Sequence, residues 1–503
     1  MKELEDFEEL CRRARNIKYL ESITALLSWD QQTKMPSQGA EYRAEQLTYL
    51  AGEMHRCSTE PDYAELLNRL SDSELAKDVH SDAGATIAEL KHRYEKKSKL
   101  PKRLVEELAR TTSLAQQIWS EARQQNNFLM FAPSLKKIFD LKREEADAIG
   151  YEDTPYDVLL DDFEPGATTR EVADVLDALV GELVPLINAV RQSDVEPDKG
   201  ILRREYPVRE QRELAKLAAA SIGFEFHRGR LDTTSHPFCS EMGPDDVRIT
   251  TRYDAAYFNS AFFGTLHEAG HGIYEQGLRG DQYGLPPGSY CSLGIHESQS
   301  RMWENLVGRS SSFWAWFFPE AQRYFPAALG DVVASDFYAA VNDVRPSLIR
   351  VEADEATYNL HIAIRFELEK AVLERELETD DLPAAWNAKY QEFLGITPDS
   401  DADGVLQDIH WSAGLIGYFP TYSLGNLFAS QLFESAEAEL GSLAPMFAQG
   451  KFAGLRGWLK QNIYRNGARY RSTDLAEKAC GQTLSHEPLM RHLRGKLEEI
   501  YRI

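Results

Sequence analysis

Cysteine is scarce: five in 503 residues, at Cys11, Cys57, Cys239, Cys291 and Cys480, an odd number with no CxxC pair. This excludes a disulfide framework and a thiolate metal site and suits a reducing compartment, so a cytoplasmic protein is expected. Basic charge is in deficit. Lys and Arg number 56 against 80 Asp and Glu, and the formal charge of −24 repels polyanions, so nucleic acid is not an expected ligand. The one basic run, Lys91 to Arg103, has few aromatics beside it for base stacking and reads as a solvated helix face. No stretch of about 18–20 apolar residues is free of charge, so no membrane span is predicted. The opening MKELEDFEELCRRAR lacks the basic start, apolar core and cleavage site of a secretory leader, and none is expected. Neither a repeat nor a Pro/Gly/Ser-rich linker interrupts the chain. One domain over 1–503 is therefore preferred, with a helical subregion at 1–235, the chemistry in 236–426 and C-terminal helices in 427–503.

Apolar residues recur mostly with helical period, over Glu3–Leu26, Asp78–Leu100, Leu104–Gln125, Thr169–Val190 and Asp331–Val341. The fold class is mainly α. Strand signals are sparse, and the clearest, β-branched and alternating, runs from Val247 to Tyr253, which implies a small sheet beside the next helix. That helix is expected from Asp254, as cap, to Gly280, as terminator.

Within it lies His267-Glu268-Ala269-Gly270-His271, an HExxH motif. At about 3.6 residues per turn the two imidazoles fall one turn apart on one face and can bind one Zn²⁺. Glu268 falls beside that face, where its carboxylate can act as a general base without occupying a coordination position. A catalytic zinc takes three protein ligands and leaves one site open. The metzincin continuation HExxHxxGxxH is excluded, because Tyr274 stands where its Gly belongs and Gly277 where its last His belongs. A glutamate on a second helix remains, and Glu297, after the Gly/Pro-rich loop from Gly280 to Gly294, is the best candidate. The competing role for Glu297 is a first-turn carboxylate favoured by the helix dipole and paired with Arg301 at i+4.

HExxH followed by His296-Glu297-Ser298-Gln299 resembles the carboxypeptidase Taq family of metallocarboxypeptidases. The other family motifs are present in order: His236-Pro237-Phe238 for HPF, Asp246 to Thr250 for DxRxT, Ile349 to Asp354 for IRxxAD, and Gly404 to Trp411 for GxxQDxHW. The first 235 residues carry no such signature. The resemblance implies a cytoplasmic, homodimeric, helical zincin-type enzyme with a deep groove, which removes single residues from peptide C-termini with one divalent metal, Zn²⁺ or Co²⁺. It also implies that His267, His271 and Glu297 hold the metal, that Glu268 is the base, and that the DxRxT and GxxQDxHW segments close one end of the groove.

The residues themselves agree in part. A free carboxylate is best met by a guanidinium fork, and Arg350 and Arg248 are the candidates. Their alternatives are an i,i+4 salt bridge from Arg350 to Asp354 and an outward strand position for Arg248. Near Trp411, the Gly- and aromatic-rich segment offers His410 and Tyr422, and next Tyr418, to stabilise an oxyanion, unless these rings simply pack together. His236, extended before Pro237, suits a groove wall. Asp399 to Gly404 reads DxDxDG, but position twelve of that loop is His410 where calcium needs a bidentate Glu, so an acidic turn is expected. Two other functions compete: a helical zinc endopeptidase or dipeptidyl peptidase with an open groove, and a non-enzymatic binding module stabilised by a structural metal.

Overall fold

The computed structural model describes residues 1–503, and helices make up 69% of them. No helix is long and apolar enough to cross a membrane. The chain forms two compact units, one of residues 1–95, 197–341 and 428–483, the other of 96–196, 342–427 and 484–503.

In the first unit, α1 spans Lys2–Thr33 and α2 spans Val208–Ile222. Three short strands follow, β1 (Gly229–Thr233), β2 (Cys239–Gly243) and β3 (Asp246–Thr251), in the order β1-β3-β2. β3 runs parallel to β1 and antiparallel to β2, with a bulge between Glu241 and Gly243. Val247 and Ile249 alternate inward and are fully buried, as the β-branched pattern predicts. The HExxH helix, α3, spans Phe258–Gly277, and the next, α4, spans Leu293–Arg301.

The ends of α3 differ from expectation. Asp254 does not cap it, because its side chain accepts the Ala256 N–H in a local turn, and the helix starts four residues later after Tyr257. Its N-terminal half is anchored by rings. Phe258 and Phe262 stack on each other and both meet Trp314, which also packs on Phe337. Such a cluster fixes the helix by burial and edge-to-face packing, each pair adding on the order of 1 kcal/mol beyond area.

Two glycines set what lies against α3. A Cβ on Gly272 would come within 2.5 Å of the Phe224 ring and 3.3 Å of Ile249, so this face accepts the sheet. A Cβ on Gly270, inside HExxH, would come within 2.6 Å of the Gln299 carbonyl and 2.7 Å of Ser300 Cα. The backbone of α4 therefore lies directly on the motif. Gly270→Ala should push α4 away, costing about 1–3 kcal/mol by overpacking and weakening metal binding at the same time. Thermal unfolding and a metal titration on the variant check this; unchanged values in both would show that α4 can give way.

In the second unit, the helix predicted from Thr169 spans Thr169–Gln192 and opens with a capping box between Thr168 and Glu171. The basic run stays largely exposed, at Arg93, Lys97, Lys99, Lys102 and Arg103, with one exception. Lys96 is largely buried and pairs with Asp161 at 2.9 Å and with Asp162, because a lysine stem can cover apolar surface while its head finds carboxylates. α5 spans Tyr358–Leu373 and carries Arg365 and Glu369. Glu369 is fully buried and accepts hydrogen bonds from Tyr156 Oη, Trp411 Nε1 and the Gly417 N–H, which pins the Gly- and aromatic-rich segment. Asp401 accepts the Phe128 N–H, in keeping with a structural acidic turn.

Candidate active site

His267 and His271 stand one turn apart on α3, and Ser292 starts α4 by accepting the Ile295 N–H, which points Glu297 back at them. Glu297 Oε2 lies 3.7 Å from His267 Nε2 and 3.4 Å from His271 Nε2. One ligand atom from each residue falls within 4.8 Å of the others. Two ligands of a tetrahedral zinc, with bonds of about 2.0–2.2 Å, lie about 3.3–3.6 Å apart, close to the two Glu297–histidine distances. No fourth side chain joins them, which leaves a position open.

Glu297 keeps the foreseen pairing with Arg301 while it faces the histidines. Its Oε1 accepts from Arg301 Nε at 2.7 Å while Oε2 faces the histidines. It lies past the first turn of α4, so the dipole contributes little. Burial works to raise its pKa, but Arg301 and the two histidines outweigh this and hold the carboxyl well below the usual range. Glu268 differs. Burial pushes its pKa up to about 7, against the pull of His267 and with Glu297 and Glu304 adding to the rise.

Sequence reasoning missed the residues behind the ligands. After Arg301 the chain widens into a π-type turn over Met302–Val307, which brings Glu304 Oε2 to 2.9 Å from His267 Nδ1. His271 Nδ1 lies 2.6 Å from His296 Nδ1, and His296 Nε2 lies 2.8 Å from Glu275 Oε1. Both imidazoles thus turn Nδ1 away and Nε2 inward. Signals existed: Glu275 follows His271 by one helical turn, and His296 stands beside Glu297.

This arrangement, two anchored imidazoles, one carboxylate and a buried second carboxylate on the motif helix, could hold a divalent metal beside a group able to move a proton. The family described as Carboxypeptidase Taq (M32) metallopeptidase matches residues 9–497. The chain belongs to that family. It is therefore a metallocarboxypeptidase, a peptide hydrolase. Thermostable carboxypeptidase 1 of Thermus thermophilus is 46% identical, covering 98% of this chain and 99% of its own. Carboxypeptidase 1 of Bacillus subtilis is 37% identical over 99% of this chain and 98% of its own. The crystal structure of an M32 carboxypeptidase from Deinococcus radiodurans superposes with a TM-score of 0.95 at 38% identity, over 99% of this chain and all of that one.

The remaining family-motif residues fall into separate groups. In the first unit, Arg248 forms a fork with Asp246 (2.8 and 2.7 Å) and lies over Trp29 of α1, 4.4 Å from the ring centre. His236 is exposed between β1 and β2. In the second unit, Arg350 does not pair with Asp354, which instead accepts the Ala356 and Thr357 N–H groups. Arg350 is buried, donates to both oxygens of Asp408 and to Tyr358 Oη, and shares Asp408 with Arg365. His410 Nε2 lies 3.3 Å from Tyr422 Oη, and the Tyr418 ring packs at 5.4 Å from His410. Burial pushes the His410 pKa down to about 4, which favours a neutral imidazole.

Proposed function

We propose that this protein is a zinc-dependent carboxypeptidase, a cytoplasmic homodimer that releases single amino acids from peptides with a free C-terminus. The convergence of His267, His271 and Glu297, with Glu268 buried on the same helix, is the observation that carries this reading. Zn²⁺ suits the donor set of two imidazoles and a carboxylate, and Co²⁺ is the second choice. When bound, the metal supplies Lewis acidity toward the scissile carbonyl and the attacking water.

This chain's residues do the rest. Arg301 holds one oxygen of Glu297 and leaves the other for coordination. Glu268 takes a proton from the attacking water and returns it to the leaving amine, a task for which a pKa near neutrality is suited. His410, as a neutral imidazole, and Tyr422 donate to the oxyanion, with Tyr418 packed behind them. Charge balance favours Arg350 for the terminal carboxylate: Arg350 and Arg365 share one carboxylate and keep a net positive charge, whereas Arg248 with Asp246 is neutral. Arg248 and His236 form part of the groove wall.

Dialysis against a chelator should abolish hydrolysis, and zinc or cobalt should restore it. Glu297→Ala should hold less than one metal per chain by elemental analysis. Full occupancy in that variant would remove Glu297 from the ligand set.

A further inference from the structure

The two motif histidines are anchored differently. His267 rests directly on a carboxylate, Glu304, whereas His271 rests on another imidazole, His296, which rests on Glu275. We propose that Glu275 and His296 are positioning residues that fix the tautomer of His271, keeping its proton on Nδ1 and its Nε2 lone pair available to the metal. This rests on the assignment of His271 as a ligand.

With His296 neutral and Glu275 ionised, the hydrogen-bond chain has one polarity. Two nitrogens 2.6 Å apart need one donor and one acceptor. Glu275 can only accept from a ring nitrogen, so His296 carries its proton on Nε2 and donates it 2.8 Å away to Oε1. A neutral imidazole protonated at Nε2 presents a bare Nδ1. The proton between the rings therefore belongs to His271 Nδ1, and its Nε2, which faces Glu297 Oε2 at 3.4 Å, carries none. The reverse polarity would set two acceptors against each other at Glu275 and put the His271 proton on Nε2, where a metal must bind. The His296 ring is also held in place, against Tyr274 and Tyr290 with ring centres 5.4 and 5.0 Å away. A carboxylate behind a ligand histidine is a common anchor; here a second imidazole relays it.

The test uses the full-length protein, labelled with ¹⁵N in histidine and freed of metal, and reads tautomers from ring nitrogen shifts and zinc affinity by competition with a chromophoric chelator. Wild type should show His271 protonated at Nδ1 and His296 at Nε2. Glu275→Ala should let His271 populate the Nε2–H form and should weaken zinc binding by about 10–100-fold. His296→Phe should do the same, whereas His296→Asn, whose side-chain oxygen can accept near the Nδ1 position, should recover most of the affinity. Adding Glu275→Ala to His296→Phe should cost nothing further. An unchanged His271 tautomer with zinc affinity within twofold of wild type in Glu275→Ala or His296→Phe would overturn the proposal. Wild-type zinc binding in His271→Ala would instead remove the ligand assignment beneath it, so the two failures are distinct. Should His296→Phe fail to fold, Glu275→Ala and His296→Asn still decide, through the tautomer and the affinity respectively.

Discussion

Glu268→Gln is expected to keep its full complement of metal and to lose about 10²–10⁴-fold in kcat, the range for removing a positioned general base. The substitution preserves shape and hydrogen-bonding capacity but leaves no group that can take a proton. Glu268 is buried and close in charge to Glu297 and Glu304, so the neutral amide should be accommodated without loss of stability. The comparison that matters is with His271→Ala, which should lose activity by losing metal. A Glu268→Gln protein with wild-type turnover would end its assignment as the base.

Asp408→Ala should destabilise the second unit by about 3–5 kcal/mol, the cost of leaving buried charge without its partner. Two guanidiniums share this carboxylate, Arg350 at 4% and Arg365 at 1% exposure, and its removal leaves like charges facing each other. Burial works to raise the Asp408 pKa, but Arg365 and Arg350 dominate and hold it far below the usual carboxylate range. A depressed folded-state pKa stabilises the fold above the unfolded value, about 4, and that contribution is lost progressively as pH falls from there through the folded value. Urea unfolding at neutral and acidic pH should therefore show the variant and wild type converging in acid. A neutral-pH difference below about 1 kcal/mol would show that the arginines find other partners.

The candidate metal site was legible because its signal is local. Helical period alone places His267 and His271 together, and a second helix after a Gly-rich loop brings Glu297 back. What lies behind them was not legible, since Glu304 reaches His267 only through the widened turn after Arg301, and the pairing of His296 with His271 requires α4 to lie on Gly270. Arg350 illustrates the same limit from the other side. Asp354 was the partner at helical spacing, but the chain there is a short turn, and Asp354 satisfies backbone N–H groups while Arg350 reaches Asp408. Local chemistry also misplaced the start of α3, where Asp254 forms its own turn instead of a cap.

The most direct measurement compares one peptide in two forms, with a free C-terminal carboxylate and with a C-terminal amide, and follows products by mass spectrometry. Amidation removes the terminal charge and leaves the scissile bond intact. Losing a partly desolvated carboxylate–guanidinium pair should cost about 2–5 kcal/mol, so the free acid should yield a ladder of single-residue losses while the amide is nearly inert. Equal cleavage of both forms, or release of internal fragments and dipeptides, would contradict carboxypeptidase action and favour an endopeptidase or dipeptidyl peptidase built on the same metal centre.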